Sequence, residues 1–372
     1  MTKRRAVIKI GSSVLAEPHG GLRRAVLSRI CREVAAAQTG GWRLVLVMSG
    51  AVARGREVVK RQGRQGRVDV LQALSAIGQG KLFQEVDSRL ARRKIQTAQI
   101  LLTFLEASER ENREAATRTM QRLLAWDVVP VINENDTVTT DALTFGDNDY
   151  LAAQVATMIE AERLLLLTDA EGVFTADPRT DPSATLVPEI DDPDEALRRY
   201  DIGVSTSALG SGGMRSKLRA AELAARGGVP TVICNGARAG VIPRALAGEP
   251  VGTRVTAQPV RGSWGRSRKF WLEHGKPAAG KVVVDPGAER ALTRRNASLL
   301  PVGIESVQGK FAVGDAVEVV AADGRVIGKG LSEFTSDELR RVCGLQTAAV
   351  RELMPDAPDE AINRDYLIVL GA

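Results

Sequence analysis

Two lysines lie in sequence contexts that predict the binding of anions. Lys9 lies inside an apolar run that is typical of a buried strand, and a buried ammonium group is costly unless it meets an anion. Gly11 and Ser12 follow this run and add backbone amides and a hydroxyl. Lys217 ends a glycine-rich segment, residues 210–217, which opens a predicted helix. Because glycines leave amides accessible and a helix N-terminus carries partial positive charge, this segment predicts a phosphate cradle.

Other polar side chains follow further predicted strands or begin the helix after a strand. The carboxyl ends of parallel strands meet at one edge of a sheet, so we expect these side chains to line one crevice. Any one of them could instead form a turn or cap a helix. The candidates are Ser49 and Gly50; Asn133, Glu134, Asn135 and Asp136; Gly146, Asp147, Asn148 and Asp149; and Thr168 and Asp169.

The rare residue types exclude several kinds of chemistry. The two histidines and three cysteines are scattered, so the sequence has no Cys-x-x-Cys metal or redox motif, and a Ser-His-Asp triad is disfavoured. Neither the Walker A pattern nor a G-x-G-x-x-G fingerprint after a strand is present. Lysines, amides and hydroxyls suit phosphoryl transfer, which depends on positioning and on neutralisation of charge. Since no base accompanies the two lysines, the residues favour an ionised carboxylate as acceptor and an acyl phosphate as product.

The order of elements predicts an α/β fold class, with a mostly parallel sheet sandwiched by helices and a small, mostly β domain after it. Up to about residue 235, strands that are apolar throughout alternate with helical patterns, as in parallel sheets covered on both faces. The predicted strands are residues 6–10, 43–48, 128–132, 163–168 and 231–234, with 99–102 as a weaker candidate. The predicted helices are residues 22–38, 70–93, 112–125, 149–160 and 214–226.

The composition changes after residue 258. Residues 259–275 contain Gly, Pro, Arg and Trp and are typical of a linker. The predicted domains are therefore residues 1–258 and residues 276–372. In the second domain, short alternating runs predict strands, and Asp323-Gly324 between two of them predicts a hairpin turn. These strands are residues 281–285, 316–320 and 325–329, with one or two helices beside them.

Charge and hydropathy bear on partners and location. The net charge of +6 and the pI of about 9.4 invite a nucleic-acid partner. Residues 276–372, however, carry 12 basic and 14 acidic side chains, and only 4% of the chain is aromatic. A basic cluster in residues 54–67 is either a solvated helix end and loop or a segment near an anionic substrate. No apolar run approaches the roughly 20 residues of a membrane span. The basic start is followed by a strand-like run of only five residues, residues 6–10, which is too short for a signal peptide's apolar core, so we expect a cytoplasmic protein without membrane contact.

Short motifs occur in order along nearly the whole chain. They are Lys9-Ile-Gly-Ser-Ser, Ser49-Gly-Ala, Val131-Ile-Asn-Glu-Asn-Asp136, Gly146-Asp-Asn-Asp149, Leu167-Thr-Asp with Gly172-Val-Phe-Thr-Ala-Asp-Pro178, Gly212-Gly-Met-Arg-Ser-Lys217, Pro277-Ala-Ala-Gly-Lys and Ser298-Leu-Leu-Pro-Val-Gly-Ile. Together they resemble the amino acid kinase family, and within it the members that phosphorylate glutamate. The last two motifs resemble a PUA domain.

The resemblance implies a role for each matching residue. Lys9 and Lys217 match lysines that hold the ATP phosphates and stabilise the transferring group, and Asp149 matches an aspartate that organises them. The positions that match glutamate binding are Ser49, Asp136 and Asn148, with Asn133 and Asp147 as further contacts. The positions that match ATP binding are Lys9, Gly11, Thr168, Asp169, Ser211, Gly212, Gly213, Met214, Arg215, Ser216 and Lys217.

The resemblance also implies substrates and partners. It implies Mg²⁺-ATP as the phosphoryl donor, glutamate as the acceptor and glutamyl 5-phosphate as the product, the first step towards proline. It further implies proline as a feedback inhibitor and a homo-oligomer, dimer or tetramer, joined through the kinase domains. Two alternatives stay open: a related kinase for another amino acid or for a nucleotide, and RNA binding through the PUA-like domain.

Overall fold

The computed structural model describes residues 4–17, 21–59, 68–108, 110–138, 148–200, 213–257, 272, 278–295 and 297–369. The chain divides into two compact units, Met1–Gly262 and Ser263–Ala372, and each has its own cluster of buried apolar side chains. Within these described ranges, no helix combines the length and the apolar character that crossing a bilayer requires.

One sheet of eight strands is present in the described part of the first unit. Its strands are β1 Arg4–Ile10, β2 Trp42–Met48, β3 Thr97–Leu102, β4 Val129–Glu134, β5 Arg163–Thr168, β6 Glu189–Ile190, β7 Thr231–Asn235 and β8 Thr253–Val255. They lie in the order β3-β4-β2-β1-β5-β7-β8-β6. The pairs from β3 to β7 are parallel, whereas β8 is antiparallel to β7 and parallel to β6. In this register Lys9 lies opposite Val47 of β2 and Leu166 of β5.

The helices cover both faces of this sheet. They are α1 Ser12–Leu15, α2 Arg24–Thr39, α3 Ala51–Val59, α4 Val68–Ala91, α5 Phe104–Ser108, α6 Arg110–Ala125, α7 Asn148–Met158, α8 Pro193–Arg199, α9 Met214–Arg226 and α10 Val241–Ala247. On one face Ile8 shares a buried cluster with Ile30 of α2, Val86 of α4 and Ile242 of α10. Because side chains alternate along a strand, Lys9 points to the opposite face, where α7 packs on β1 and on α9.

The sheet confirms the predicted α/β class, but two elements, β4 and α7, have other boundaries than predicted. β4 continues to Glu134, so Asn133 and Glu134 belong to the strand and not to a turn after it, since they pair with β3. α7 begins at Asn148, one residue before the predicted start, so Asn148 lies with Asp149 in its first turn. Both corrections bring polar side chains onto regular elements that hold them more firmly than a loop.

Several short elements are not predicted by the sequence pattern. β6 and β8 have two and three residues, which are too few to show alternation.

Helix α3 contains the start of the basic cluster, where a solvated helix end and loop are expected. Its Arg54 is neutralised by Glu57, at 2.9 Å, and by Glu85 of α4, at 3.8 Å, so this part of the basic cluster is paired.

The second unit contains a smaller sheet. Its described strands are β9 Gly280–Val284, β10 Ile304–Gly309, β11 Ala316–Ala321, β12 Val326–Leu331 and β13 Leu367–Val369, in the order β10-β9-β11-β12-β13. β9 and β11 are parallel, and the other pairs are antiparallel. The predicted hairpin between β11 and β12 is confirmed, with the Asp323 carboxylate accepting a bond from the Arg325 amide at 3.0 Å. This unit is mostly β, as predicted.

Three helices, not one or two, accompany this sheet among the described residues. They are α11 Pro286–Arg295, α12 Ser336–Val342 and α13 Thr347–Leu353, with single 3₁₀ turns at Pro301–Gly303 and Arg364–Tyr366. Thr335 and Glu338 form a capping box at the start of α12. Phe334, just before that cap, is buried in the core between the sheet and the helices.

Candidate active site

The carboxyl ends of β4, β2, β1 and β5 lie side by side in the sheet, in that order. The predicted site residues are spread over these four ends and over the first turns of two helices. Asn133 lies in β4, and Asp136 lies two residues beyond the end of that strand; Ser49 follows β2; Lys9 lies in β1, and Gly11 follows it; Thr168 ends β5, and Asp169 follows it. Helix α7 begins with Asn148 and Asp149, and helix α9 begins with Met214, Arg215, Ser216 and Lys217.

Asp149 bridges the two lysines. Its Oδ1 lies 2.6 Å from Lys9 Nζ, and its Oδ2 lies 3.1 Å from Lys217 Nζ. All three side chains are buried, with exposed fractions of 1% for Asp149, 5% for Lys9 and 6% for Lys217. One carboxylate therefore fixes the separation of two ammonium groups that come from opposite ends of the first unit's sequence.

The electrostatics of this trio favour a bound anion. Burial by itself would raise the pKa of the Asp149 carboxyl, because it disfavours the charged form. The ammonium groups of Lys217 and Lys9 outweigh burial, and the pKa of Asp149 is lowered overall. Asp149 is therefore ionised, and the three side chains sum to one positive charge, which suits an anionic ligand.

The elements around the trio hold it in place. α7 is buried over its whole length, so Asp149 in its first turn has a fixed position above β1. Lys217 lies in the first turn of α9, which packs against α7. The cap of α9 is Gly213, with extended backbone angles of φ −78° and ψ −179°.

The N-terminus of α9 is suited to phosphate. Within the described residues it has no side-chain cap, and its first turn contains no acidic residue, although acids commonly occupy that place. The Ser216 hydroxyl donates to the Gly213 carbonyl at 2.9 Å, which leaves the backbone amides and Lys217 as the groups for an anion. Arg215 of the same turn is exposed. This end of the helix therefore has the features that suit helix N-termini to anions, and its contact with phosphate stays a prediction.

Ser49 and Asn148 meet at the ends of β2 and α7. Asn148 Nδ2 donates to Ser49 Oγ at 3.2 Å. Gly50 has a φ of +113°, which lets the chain turn directly after Ser49. Asn148 Oδ1 and Asn133 Nδ2 are buried, and neither has a hydrogen-bond partner among the described residues. A buried polar atom without a partner costs about 1–3 kcal/mol, so this acceptor and this donor indicate a place for a polar ligand.

Asp136 is buried beyond the end of β4. The hydroxyl of Ser75, from α4, donates to Asp136 Oδ2. Burial raises the pKa of Asp136, and the bond from Ser75 opposes this only in part. Ser75 is not recognisable as a site residue in the sequence, because a single serine in the middle of an apolar helix has no motif of its own. Only the fold brings it to Asp136, 61 residues further along the chain.

Thr168 and Gly11 connect β5 with its neighbours. Thr168 is buried; its hydroxyl donates to Asp169 Oδ1 at 3.1 Å, and its carbonyl accepts a bond from the Gly236 amide at 2.8 Å. The Gly11 amide donates to the Leu167 carbonyl at 3.1 Å. The Gly11 amide thus already has a partner, and its nucleotide contact stays a prediction.

Some of the predicted residues lie outside the described residues: Gly146, Asp147, and residues 210–212 of the glycine-rich segment, which include Ser211 and Gly212. Within the part of the chain that the structure describes, no group of three His, Cys, Asp or Glu side chains could hold a metal ion.

The cysteines form no disulfide, and burial raises the pKa of the Cys31 thiol to about 11 and that of the Cys234 thiol to about 12. These two thiols are therefore poor nucleophiles at neutral pH.

Comparison with protein families places this arrangement in a class. The sequence model of the amino acid kinase family matches residues 4–235, and that of the PUA domain matches residues 280–354. The first match covers more than half of the chain and includes the trio. The chain belongs to the amino acid kinase family.

Individual relatives extend the similarity over both units. Glutamate 5-kinase from Ectopseudomonas mendocina (strain ymp) is 44% identical over 369 residues, which cover 99% of this chain and 98% of that protein. Glutamate 5-kinase from Paraburkholderia xenovorans (strain LB400) is 41% identical over 368 residues, with the same two coverages. Among solved structures, UMP kinase from Bacillus anthracis aligns with 69% of this chain and 97% of that chain, at 18% identity and a TM-score of 0.48.

Proposed function

We propose that this protein transfers the γ-phosphoryl group of ATP to the γ-carboxylate of L-glutamate. The product is L-glutamyl 5-phosphate, the first intermediate on the way to proline. The observation that carries the proposal is the buried trio of Lys9, Asp149 and Lys217, with groups suited to an amino acid on one side and an anion-binding helix end on the other. Similarity to two glutamate 5-kinases over almost the whole chain supports the same reaction.

The role of the trio follows from its charge. During transfer, negative charge is spread over the oxygens of the phosphoryl group. Lys9 and Lys217 offer two ammonium groups at a spacing that Asp149 fixes, so they stabilise this charge without reorganising. The amides at the N-terminus of α9 are placed to hold the phosphates that stay with the nucleotide.

The acceptor needs no general base. The γ-carboxylate of glutamate has a pKa near 4 and is ionised at neutral pH. One of its oxygens attacks the γ-phosphorus while the bond from that phosphorus to the bridging oxygen of ATP breaks, and ADP leaves. No proton is transferred, which fits a set of site motifs without histidine.

The groups beside β4 and β2 match the two charges on the α-carbon of an amino acid. The Asp136 carboxylate and Asn148 Oδ1 are acceptors, suited to the α-ammonium group. Asn133 Nδ2 and the Ser49 hydroxyl are donors, suited to the α-carboxylate. This pattern supports a free amino acid as the acceptor, and Asp147 stays a predicted further contact.

The nucleotide is expected beyond the other side of the trio. Thr168, Asp169 and residues 211–217 are its predicted contacts. We infer that Mg²⁺ enters with ATP, held by phosphate oxygens and water, as part of the substrate. The described residues contain no cluster of three metal-ligating side chains, and the carboxylate of Asp149 is held by two lysines.

We also propose that the protein forms a homo-oligomer, a dimer or a tetramer. β3 lies at the edge of the sheet, and the helix pair α3 and α4 exposes Val58 and Ile77, by 42% and 40%. An open strand edge and exposed apolar side chains are features that a second copy can cover. We propose proline as a feedback inhibitor, because it is the end product of the pathway. We also propose a cytoplasmic location, which fits three cysteines that form no disulfide.

RNA binding by the second unit is not favoured. Basic side chains of this unit are ion-paired within it, for example Lys281 with Glu318 at 2.9 Å and Arg351 with Asp359 at 2.8 Å. Lysines and arginines that already have carboxylate partners gain less from a phosphate backbone. Kinase activity is therefore the function to test first.

A hydroxylamine assay tests the proposed reaction, because hydroxylamine converts an acyl phosphate into a coloured hydroxamate. With Mg²⁺-ATP, we expect product from L-glutamate and little from aspartate, N-acetylglutamate, glutarate or acetate. N-acetylglutamate and glutarate keep the carboxylates but lack the α-ammonium group that Asp136 is suited to bind. Product from another acid alone would keep the reaction class and overturn the glutamate assignment. Folded protein that gives no product with any acid would overturn the proposal.

A further inference from the structure

Ser75 makes an unusual hydrogen bond for a serine inside a helix. Such serines commonly donate to a carbonyl one turn back in their own helix. Ser88 of α4 does this, donating to the Gln84 carbonyl at 2.7 Å. Ser75 of the same helix donates instead to Asp136 Oδ2. Both partners are buried, Ser75 completely and Asp136 with 8% of its surface exposed.

We propose that Ser75 is a positioning residue for the acceptor amino acid: its hydroxyl fixes the Asp136 carboxylate in the orientation that receives the substrate's α-ammonium group. This inference rests on the proposed function, in which Asp136 binds that ammonium group. A carboxylate rotates about the single bond to its side chain, and a hydrogen bond to Oδ2 restricts this rotation. Ser75 touches none of the reacting atoms, so its effect falls on glutamate binding and not on phosphoryl transfer.

The same bond also acts on the protonation of Asp136. Burial raises the pKa of Asp136, and the Ser75 hydroxyl works against it. An α-ammonium group pairs with a carboxylate and not with a carboxylic acid, so Ser75 extends glutamate binding to lower pH. Burial and the Ser75 hydroxyl are the causes of this shift. The ionisable side chains on the neighbouring elements include Glu134 of β4, Asp149 of α7, Arg54 of α3 and Lys81 of α4.

Removal of the hydroxyl tests the role of Ser75. In Ser75→Ala we expect the KM for glutamate to rise about tenfold, because a hydrogen bond to a charged group is lost. The kcat and the KM for ATP should stay at wild-type values. Ser88→Ala is the matched control, since it removes a hydroxyl from the same helix at a place that does not bond to Asp136. It should leave all three constants unchanged.

Two further measurements separate positioning from a general loosening of the core. Without the Ser75 hydroxyl the pKa of Asp136 rises further, so on acidification the glutamate KM should begin to increase at a higher pH than in the wild type. In an Asp136→Asn background, Ser75→Ala should add little, because the two residues act as a unit. Ser75→Cys keeps the shape of the side chain with a slightly larger atom and only a weak donor, and we expect an intermediate KM.

The outcomes distinguish this inference from the proposed function. An unchanged glutamate KM in Ser75→Ala and Ser75→Cys, together with a raised KM in Asp136→Asn, would overturn the role of Ser75 alone. Independent, additive effects of the two substitutions would overturn it as well. An unchanged KM in Asp136→Asn would overturn the assignment of Asp136 to the substrate, and the role of Ser75 with it.

Discussion

Lys9, Asp149 and Lys217 share one net positive charge in a buried place, and this charge predicts different results for different substitutions. Lys217→Ala leaves Lys9 with Asp149, a neutral pair, so the fold should keep its stability. Its kcat should fall on the order of 10²–10³-fold, since one of two charges that stabilise the transferring group is lost. The glutamate KM should change less. Hydroxamate kinetics and thermal unfolding measure both effects, and a kcat near that of the wild type would remove Lys217 from the phosphate site.

Asp149→Asn, unlike Lys217→Ala, should destabilise the fold. It removes the negative charge that both lysines share, which should cost about 3–5 kcal/mol of unfolding free energy in addition to activity. Because the pKa of Asp149 is lowered in the fold, its ionised form stabilises the protein above its ordinary pKa of 3.8. That contribution is lost as the pH falls through the lower pKa of the folded state. The stability gap between wild type and Asp149→Asn should therefore be full near neutral pH and narrow below about pH 4; a gap that is independent of pH would contradict the shared charge.

Helices α3 and α4 cross with their backbones in contact, and glycine makes this possible. A Cβ atom on Gly78 would lie 1.8 Å from the Ala51 carbonyl oxygen, and one on Gly55 would lie 1.9 Å from the Leu74 carbonyl oxygen. Gly78→Ala must therefore push the helices apart, which we expect to cost about 3 kcal/mol. Because α3 begins two residues after Ser49 and α4 carries the Ser75 hydroxyl, the glutamate KM should rise as well.

Gly80→Ala is the control for this crossing. Gly80 lies two residues after Gly78 in α4, where an added Cβ would meet no atom within 4 Å. Replacing a helical glycine by alanine should stabilise the protein by about 0.5–1 kcal/mol. Denaturant unfolding and glutamate kinetics compare the two variants. If Gly78→Ala proves as stable as Gly80→Ala, the close crossing is wrong.

The elements also show what the sequence could and could not predict. Lys9 and Thr168 lie in apolar strands and Ser49 directly follows one, and a polar residue within or directly after an apolar run is visible without a structure. The contact of Ser75 with Asp136 depends on how α4 packs, and no local pattern encodes it. The same holds for β8, whose three residues are a strand only because β7 and β6 flank them.

At the scale of the whole molecule, all described and predicted site residues lie in the first unit, Met1–Gly262, and the second unit has a separate core around Val319 and Phe334. A chain that ends at Gly262 should therefore fold and make the hydroxamate from glutamate with the KM values of the full chain. Residues 263–372, expressed alone, should unfold cooperatively.

The unfolding of the full chain tests this independence in a second way. Two units with separate cores should give two transitions, one at the midpoint of the isolated second unit, and not a single two-state curve. Glutamate and Mg²⁺-ATP should raise only the midpoint of the transition that belongs to the first unit, because a ligand stabilises the unit to which it binds. A single transition that shifts as a whole with these ligands would mean that the units fold as one, and that the second unit takes part in the stability of the active site.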